Sequence, residues 1–127
     1  MPAVLTNKGK KYLLDKIVNK KETSDFILHL FINDIVPKKA TTLSDLKEAQ
    51  GFGYSERILY GIFWQDSYDG LKSMEDIFTF TGKAGKVYGY YITSDDVLIF
   101  VERFNDAPYE VKNAGDQIKI NTNMVMR

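Results

Sequence analysis

"KVYGYYITSDDVLIFVERF", Lys86 to Phe104, sets two apolar runs around a short polar interruption. It reads as a β-hairpin, because β-branched and aromatic residues fill both arms and the break is Ser-Asp-Asp. With Ser94-Asp95 as the two-residue loop, Tyr88, Tyr90 and Ile92 face Val101, Ile99 and Val97. On the reverse side Tyr91 faces Leu98, Gly89 faces Phe100 and Val87 faces Glu102, with Gly89 leaving room for the Phe100 ring. Both sides of this ribbon are apolar, and an apolar patch of that size needs a cover. The candidates are an N-terminal helix, the long segment from Asp34 to Ser55, and a second copy of the chain. The expectation is a shared cover, the long segment plus a neighbouring copy.

Outward from the hairpin the same chemistry recurs. "DFILHLFIND", Asp25 to Asp34, is apolar at both alternating sets, as in a strand buried on two sides. "ERILYGIFW" from Glu56 and "DIFTFT" from Asp76 are further strands, with "QDSYDGLKSMED" a polar connection between them. A short edge strand is expected around Tyr109–Val111. "QIKINTNMVMR" closes the chain with Ile118, Ile120, Thr122, Met124 and Met126 on one face. Thr42-x-x-Asp45 is a capping pattern for a turn or two of helix. Near the start, Thr6 or Asn7 caps a short helix to about Asn19, with Leu13, Leu14, Ile17 and Val18 on one side and lysines opposite. The spacing predicts a mainly β fold, an antiparallel β-sandwich or barrel of six to seven strands with a short N-terminal α-helix. At 127 residues one domain is expected, with 1–21 a helical arm and 22–127 the sandwich body.

The net charge is zero but uneven: residues 1–40 hold eight lysines and four acids, whereas 41–127 hold nine bases and thirteen acids. The basic lead, with Lys10, Lys11 and Lys16, suits an acidic neighbouring surface. The absence of cysteine rules out disulfides and thiolate metal ligands. No apolar run is long enough for a membrane span, and no signal-peptide pattern is present, so no membrane partner is expected.

Little in the chain points to catalysis. His29 is the single histidine, between two leucines of a strand, and reads as structural. One histidine and no cysteine argue against zinc or iron, so no metal and no cofactor is expected. "DSYDG" offers oxygen ligands without the spacing of a calcium loop, and the acids Asp76 and Glu102 are no glycosidase signal by themselves. The sheet lacks bases interleaved with its aromatics, so nucleic acid is not expected. Trp64 and Tyr68, with other loop aromatics, are the candidates for stacking a sugar.

Several segments in order, "LTNKGKKYLLD", "LHLFINDIVP", "TTLSDLKEA", "GYSERIL", "TFTG", "VYGYYIT" and "ERF" followed by Pro108, resemble a group of small structural proteins of tailed-bacteriophage virions. The resemblance spans nearly the whole chain and rests on packing and turn residues. It implies a non-enzymatic virion component, a capsid decoration (cement) protein first and a tail, neck or baseplate component second. It further implies a homo-oligomer, a trimer by preference, on the major capsid protein or other virion proteins, assembled in the host cytoplasm. The expected contact residues are Lys10, Lys11, Lys16, Tyr88, Tyr90, Tyr91 and Phe100; a glycan- or receptor-binding module using Trp64 and Tyr68 is the alternative.

Overall fold

The computed structural model describes residues 3–19, 25–59, 63–64 and 71–124, with the side chains at 63–64, 71–75 and 121–124 outside that description. Its elements run β1 (Val4–Leu5), α1 (Asn7–Val18), β2 (Ile27–Phe31), a 3₁₀ turn (Leu43–Asp45), β3 (Arg57–Ile58), β4 (Phe63–Trp64) and β5 (Leu71–Thr79). There follow β6 (Gly85–Val87), β7 (Gly89–Ser94), β8 (Val97–Arg103), β9 (Tyr109–Val111) and β10 (Gln117–Met124). A five-stranded sheet has the order β1-β8-β7-β2-β3, a second has β10-β5-β4, and β6 pairs with β9. Every pairing is antiparallel. The fold is mainly β and sandwich-like with an N-terminal helix, as the sequence predicts.

The hairpin β7–β8 lies at the centre of the large sheet, and its register differs from the sequence reading. Its loop is Asp95-Asp96, with φ of 52° and 60°, the paired left-handed backbone of a type I′ turn. Aspartate tolerates that conformation better than most residues, which places the turn one residue later. Beyond it Ser94 pairs with Val97 and Thr93 with Leu98, but Ile92 pairs with Phe100, so Ile99 is an extra residue in β8. The later turn and this bulge together move Gly89 opposite Arg103 instead of Phe100. A Cβ on Gly89 would lie 2.6 Å from the ring of Phe31 and press on the carbonyl of Glu102. The glycine therefore makes room for Phe31 of the neighbouring strand.

The chain covers both faces of its own ribbon. On one face Leu28 and Leu30 of β2 join Tyr90, Ile92 and Phe100, and meet Phe78, Ile118 and Ile120 of the second sheet, with Phe80 just past the end of β5. On the other, Phe31, Tyr91, Leu98 and Val101 pack against Ile35, Leu46, Val4 and Tyr88. The long segment supplies that second cover by clamping. Asn33 donates its side-chain amide to Asp45 O (2.8 Å) and accepts from Lys47 N (2.9 Å). Ile32 N–H donates to Lys47 O and Ala49 N–H to Leu30 O, which holds Lys47–Ala49 along the outer edge of β2. Arg103 bonds Asp34 and the carbonyl of Ile35 while its guanidinium lies over the Tyr88 ring. The predicted capping pattern forms, with Thr42 N–H on the Asp45 carboxylate at 2.8 Å. No neighbouring copy is needed to bury this hairpin, which corrects the expected shared cover.

The helix seats differently from its sequence pattern. Thr6 is fully buried: its hydroxyl accepts from Gly9 N–H and donates to Leu98 O, while its own N–H donates to Ile99 O (3.0 Å). Those two carbonyls belong to the bulge. Gly9 then rests against the β8 backbone, where an added Cβ would stand 2.6 Å from Ile99 Cα. Leu13 enters the core one turn later, and Tyr12 reaches Ser94 and Asp95 of the hairpin turn at 2.9 Å. The seating face is thus Gly9, Tyr12, Leu13 and Lys16, whereas Leu14, Ile17 and Val18 point to solvent. Close backbone approach at a glycine outweighs the burial of three aliphatic side chains here.

The remaining differences concern strand boundaries. The "ERILYGIFW" run holds two short strands, β3 and β4, and the N-terminal arm contributes β1 to the main sheet. β5 begins at Leu71, inside the stretch read as a polar connection, because pairing with β10 from Met124 back to Gln117 extends it. A full-length partner strand overrides weak local β-propensity.

Glycine-to-alanine changes inside helices ordinarily stabilise by about 1 kcal/mol. Gly9→Ala is expected to do the reverse and lower unfolding stability by about 1–3 kcal/mol, the usual range for overpacking. A urea melt decides it; a raised midpoint contradicts the seating.

Candidate functional site

Two features stand out once the sheets and helix are placed. The first is the outer face of α1. Leu14, Ile17 and Val18 are 42, 55 and 75% exposed. At about 100° per residue they alternate around the outward arc with Lys10 and Lys11, also exposed. The arrangement is an apolar stripe studded with ammonium groups, on a helix whose inner face is pinned to β8. Covering a large aliphatic side chain stabilises a contact by about 1.5–3 kcal/mol at most, and lysines add selectivity for an acidic partner.

The second is a polar cluster on the large sheet, beneath the long segment. β2 presents His29, and β7 places Thr93 beside it with Nε2 to Oγ1 at 2.8 Å. The other ring nitrogen, Nδ1, meets Glu48 Oε2 at 2.8 Å. Tyr91 stacks on the imidazole, with centroids 4.6 Å apart and planes 11° from parallel. Tyr54 donates its hydroxyl to the same Glu48 oxygen and accepts from Leu30 N–H (3.1 Å). Glu56, just before β3, brings a second carboxylate to the rim. Thr93–His29–Glu48 has the connectivity of a hydroxyl–base–acid relay. Thr93 and the imidazole are buried, however, and the Tyr91 ring covers a face of that imidazole.

The predicted contact residues separate into two groups. Lys10 and Lys11 lie on the exposed stripe. Lys16 is half-buried, over the Tyr12 ring at 5.1 Å and 4.0 Å from Asp95, so it secures the helix to the hairpin turn. Tyr90, Tyr91 and Phe100 are 3, 4 and 0% exposed, too deep to present to a partner. The sequence reading left them surplus because it supplied no intramolecular cover. Tyr88 is half-buried under Arg103. The alternative pair falls outside the described residues: Tyr68 entirely, Trp64 in its side chain, as does "DSYDG" with Asp66 and Asp69. Glu102 accepts the Tyr90 hydroxyl at 2.7 Å.

Sequence reasoning missed Leu14, Ile17 and Val18 as surface residues, and missed Glu48 and Glu56 as neighbours of His29. Gly9 was the available signal for the first. No local pattern signals the second, since the acids lie 19 and 27 positions along the chain.

No protein-family model, curated protein or solved structure matches this chain.

Burial raises the phenols of Tyr54, Tyr90 and Tyr91 above the ordinary value of 10.0. The hydrogen bond to Glu48 adds to this at Tyr54, and the charge of Glu102 at Tyr90. Glu48 and Glu56 add negative charge near Tyr91. A phenol whose pKa is raised on folding contributes stability that is intact below the unfolded value and lost as pH rises above it. In an alkaline titration read by phenolate absorbance, these three tyrosines are expected to ionise only together with unfolding. A single reversible step near pH 10 that includes all eight tyrosines contradicts this.

Proposed function

We propose that this chain is a non-enzymatic structural protein of a tailed-phage virion, a decoration or cement protein that adheres to the capsid in many copies. One observation carries the reading: α1 is fixed to the fold by its glycine-bearing face and turns Leu14, Ile17 and Val18 outward beside Lys10 and Lys11. The resemblance of the ordered segments to small phage structural proteins supports it. So does the basic excess of residues 1–40 against the acidic excess of the rest, which favours an acidic partner surface.

In this reading the hairpin is scaffold and the helix is the adhesive. Each copy makes a modest contact, and copies held together in a homo-oligomer gain effective concentration against the shell. The resemblance favours a trimer that braces the joints between capsomers. The same surface serves a tail, neck or baseplate position if the acidic partner lies there.

Two double variants test the proposal, Leu14→Glu with Ile17→Glu, and Lys10→Glu with Lys11→Glu. Each is expected to weaken binding to purified virions lacking this chain by roughly tenfold or more, with melting temperature unchanged. Undiminished occupancy on heads and tails for both variants overturns it. Binding restricted to tails replaces the capsid placement with the tail one.

A further inference from the structure

We propose that His29, Glu48 and Glu56 form a binding site for one divalent transition-metal ion, of which zinc fits the ligand set best. This stands independently of the virion reading. One ligand atom from each residue lies within 4.8 Å of the others, a spacing that small movements of the exposed Glu56 close around an ion. One imidazole nitrogen and two carboxylates suit zinc, with water completing the shell; magnesium and calcium favour all-oxygen sites.

The surroundings prepare the histidine for that task. Nδ1 is 2.8 Å from Glu48 Oε2, a contact in which Nδ1–H donates to the carboxylate. An ion would take the place of that proton, and Thr93 Oγ1, 2.8 Å from Nε2, is placed to accept the Nε2–H of the metal-binding tautomer. Tyr91, stacked on the ring, fixes its plane. Tyr54 holds the Glu48 carboxylate through its hydroxyl, the outer-shell support that metal-ligating carboxylates commonly have. Access is graded, from the buried His29 through the half-buried Glu48 to the exposed Glu56 at the mouth.

Charge supplies an independent reason. Among the described residues, no lysine or arginine lies within ion-pair distance of Glu48 or Glu56. Two carboxylates therefore converge on a largely buried imidazole with no lysine or arginine beside them, His29 itself being the one cationic partner when protonated. Like charges so placed favour a bound ion. Both also bear on the Tyr91 phenol, after burial itself. An ion here would join β2, the clamped long segment and the approach to β3. Counting histidines and cysteines along the sequence argues against zinc, but a count cannot reveal two glutamates folded against the single histidine.

Titration calorimetry with zinc chloride on the chelator-treated full chain tests the site. The expected result is one zinc per chain, a melting temperature that rises with zinc, and loss of both in His29→Gln. Because His29 is buried and its replacement puts folding at risk, Glu56→Gln is the deciding variant. It is expected to bind zinc roughly tenfold or more weakly, while melting like the parent without metal. Absence of binding up to ~1 mM zinc, or Glu56→Gln binding as tightly as the parent, overturns the proposal.

Discussion

Thr6 holds the molecule's organisation at one point. A bulge in β8 leaves the carbonyls of Leu98 and Ile99 turned toward α1, and Thr6 takes both, one with its hydroxyl and one with its backbone amide. The same hydroxyl accepts from Gly9 and starts the helix. Each bond contributes only about 1 kcal/mol, but together they set the helix's rotation. Once Gly9 lies on Ile99, Leu13 must enter the core and Leu14, Ile17 and Val18 must face outward. The surface available to a partner follows from a capping threonine and a missing Cβ.

Several residues around the central hairpin have intramolecular work. Asn33 clamps the long segment, Arg103 ties Asp34 and Ile35 to the hairpin and covers Tyr88, and Gly89 admits Phe31. These residues make the chain its own cover for a two-faced apolar ribbon.

Much of the architecture was legible in the sequence. Period-two alternation marked β2, the hairpin and β10, and the Thr6-Asn7 pair marked the helix start, of which Thr6 is the cap. What failed was what alternation cannot carry. The bulge at Ile99 adds one residue to a strand without changing its composition, and it moved every pair beyond it. The helix was read by its aliphatic stripe, but a close contact through Gly9 leaves no mark in the apolar spacing and still decided the seating. Of the residues named for a contact, Lys10 and Lys11 are exposed on the helix, whereas Tyr90, Tyr91 and Phe100 were named for a surface that the fold closes. The polar cluster was hidden because His29, Glu48 and Glu56 are distant in sequence and meet only when the long segment folds back.

Everything proposed for the surface turns on α1 hiding its glycine face and offering its aliphatic–lysine face. The chain contains no cysteine, so a single introduced thiol reports its own position. The most direct measurement compares thiol-labelling rates of Leu13→Cys and Ile17→Cys in the native protein. Ile17→Cys is expected to react at least roughly tenfold faster, since the Leu13 site opens only with local unfolding. Equal rates, or a faster Leu13→Cys, would contradict this seating of the helix.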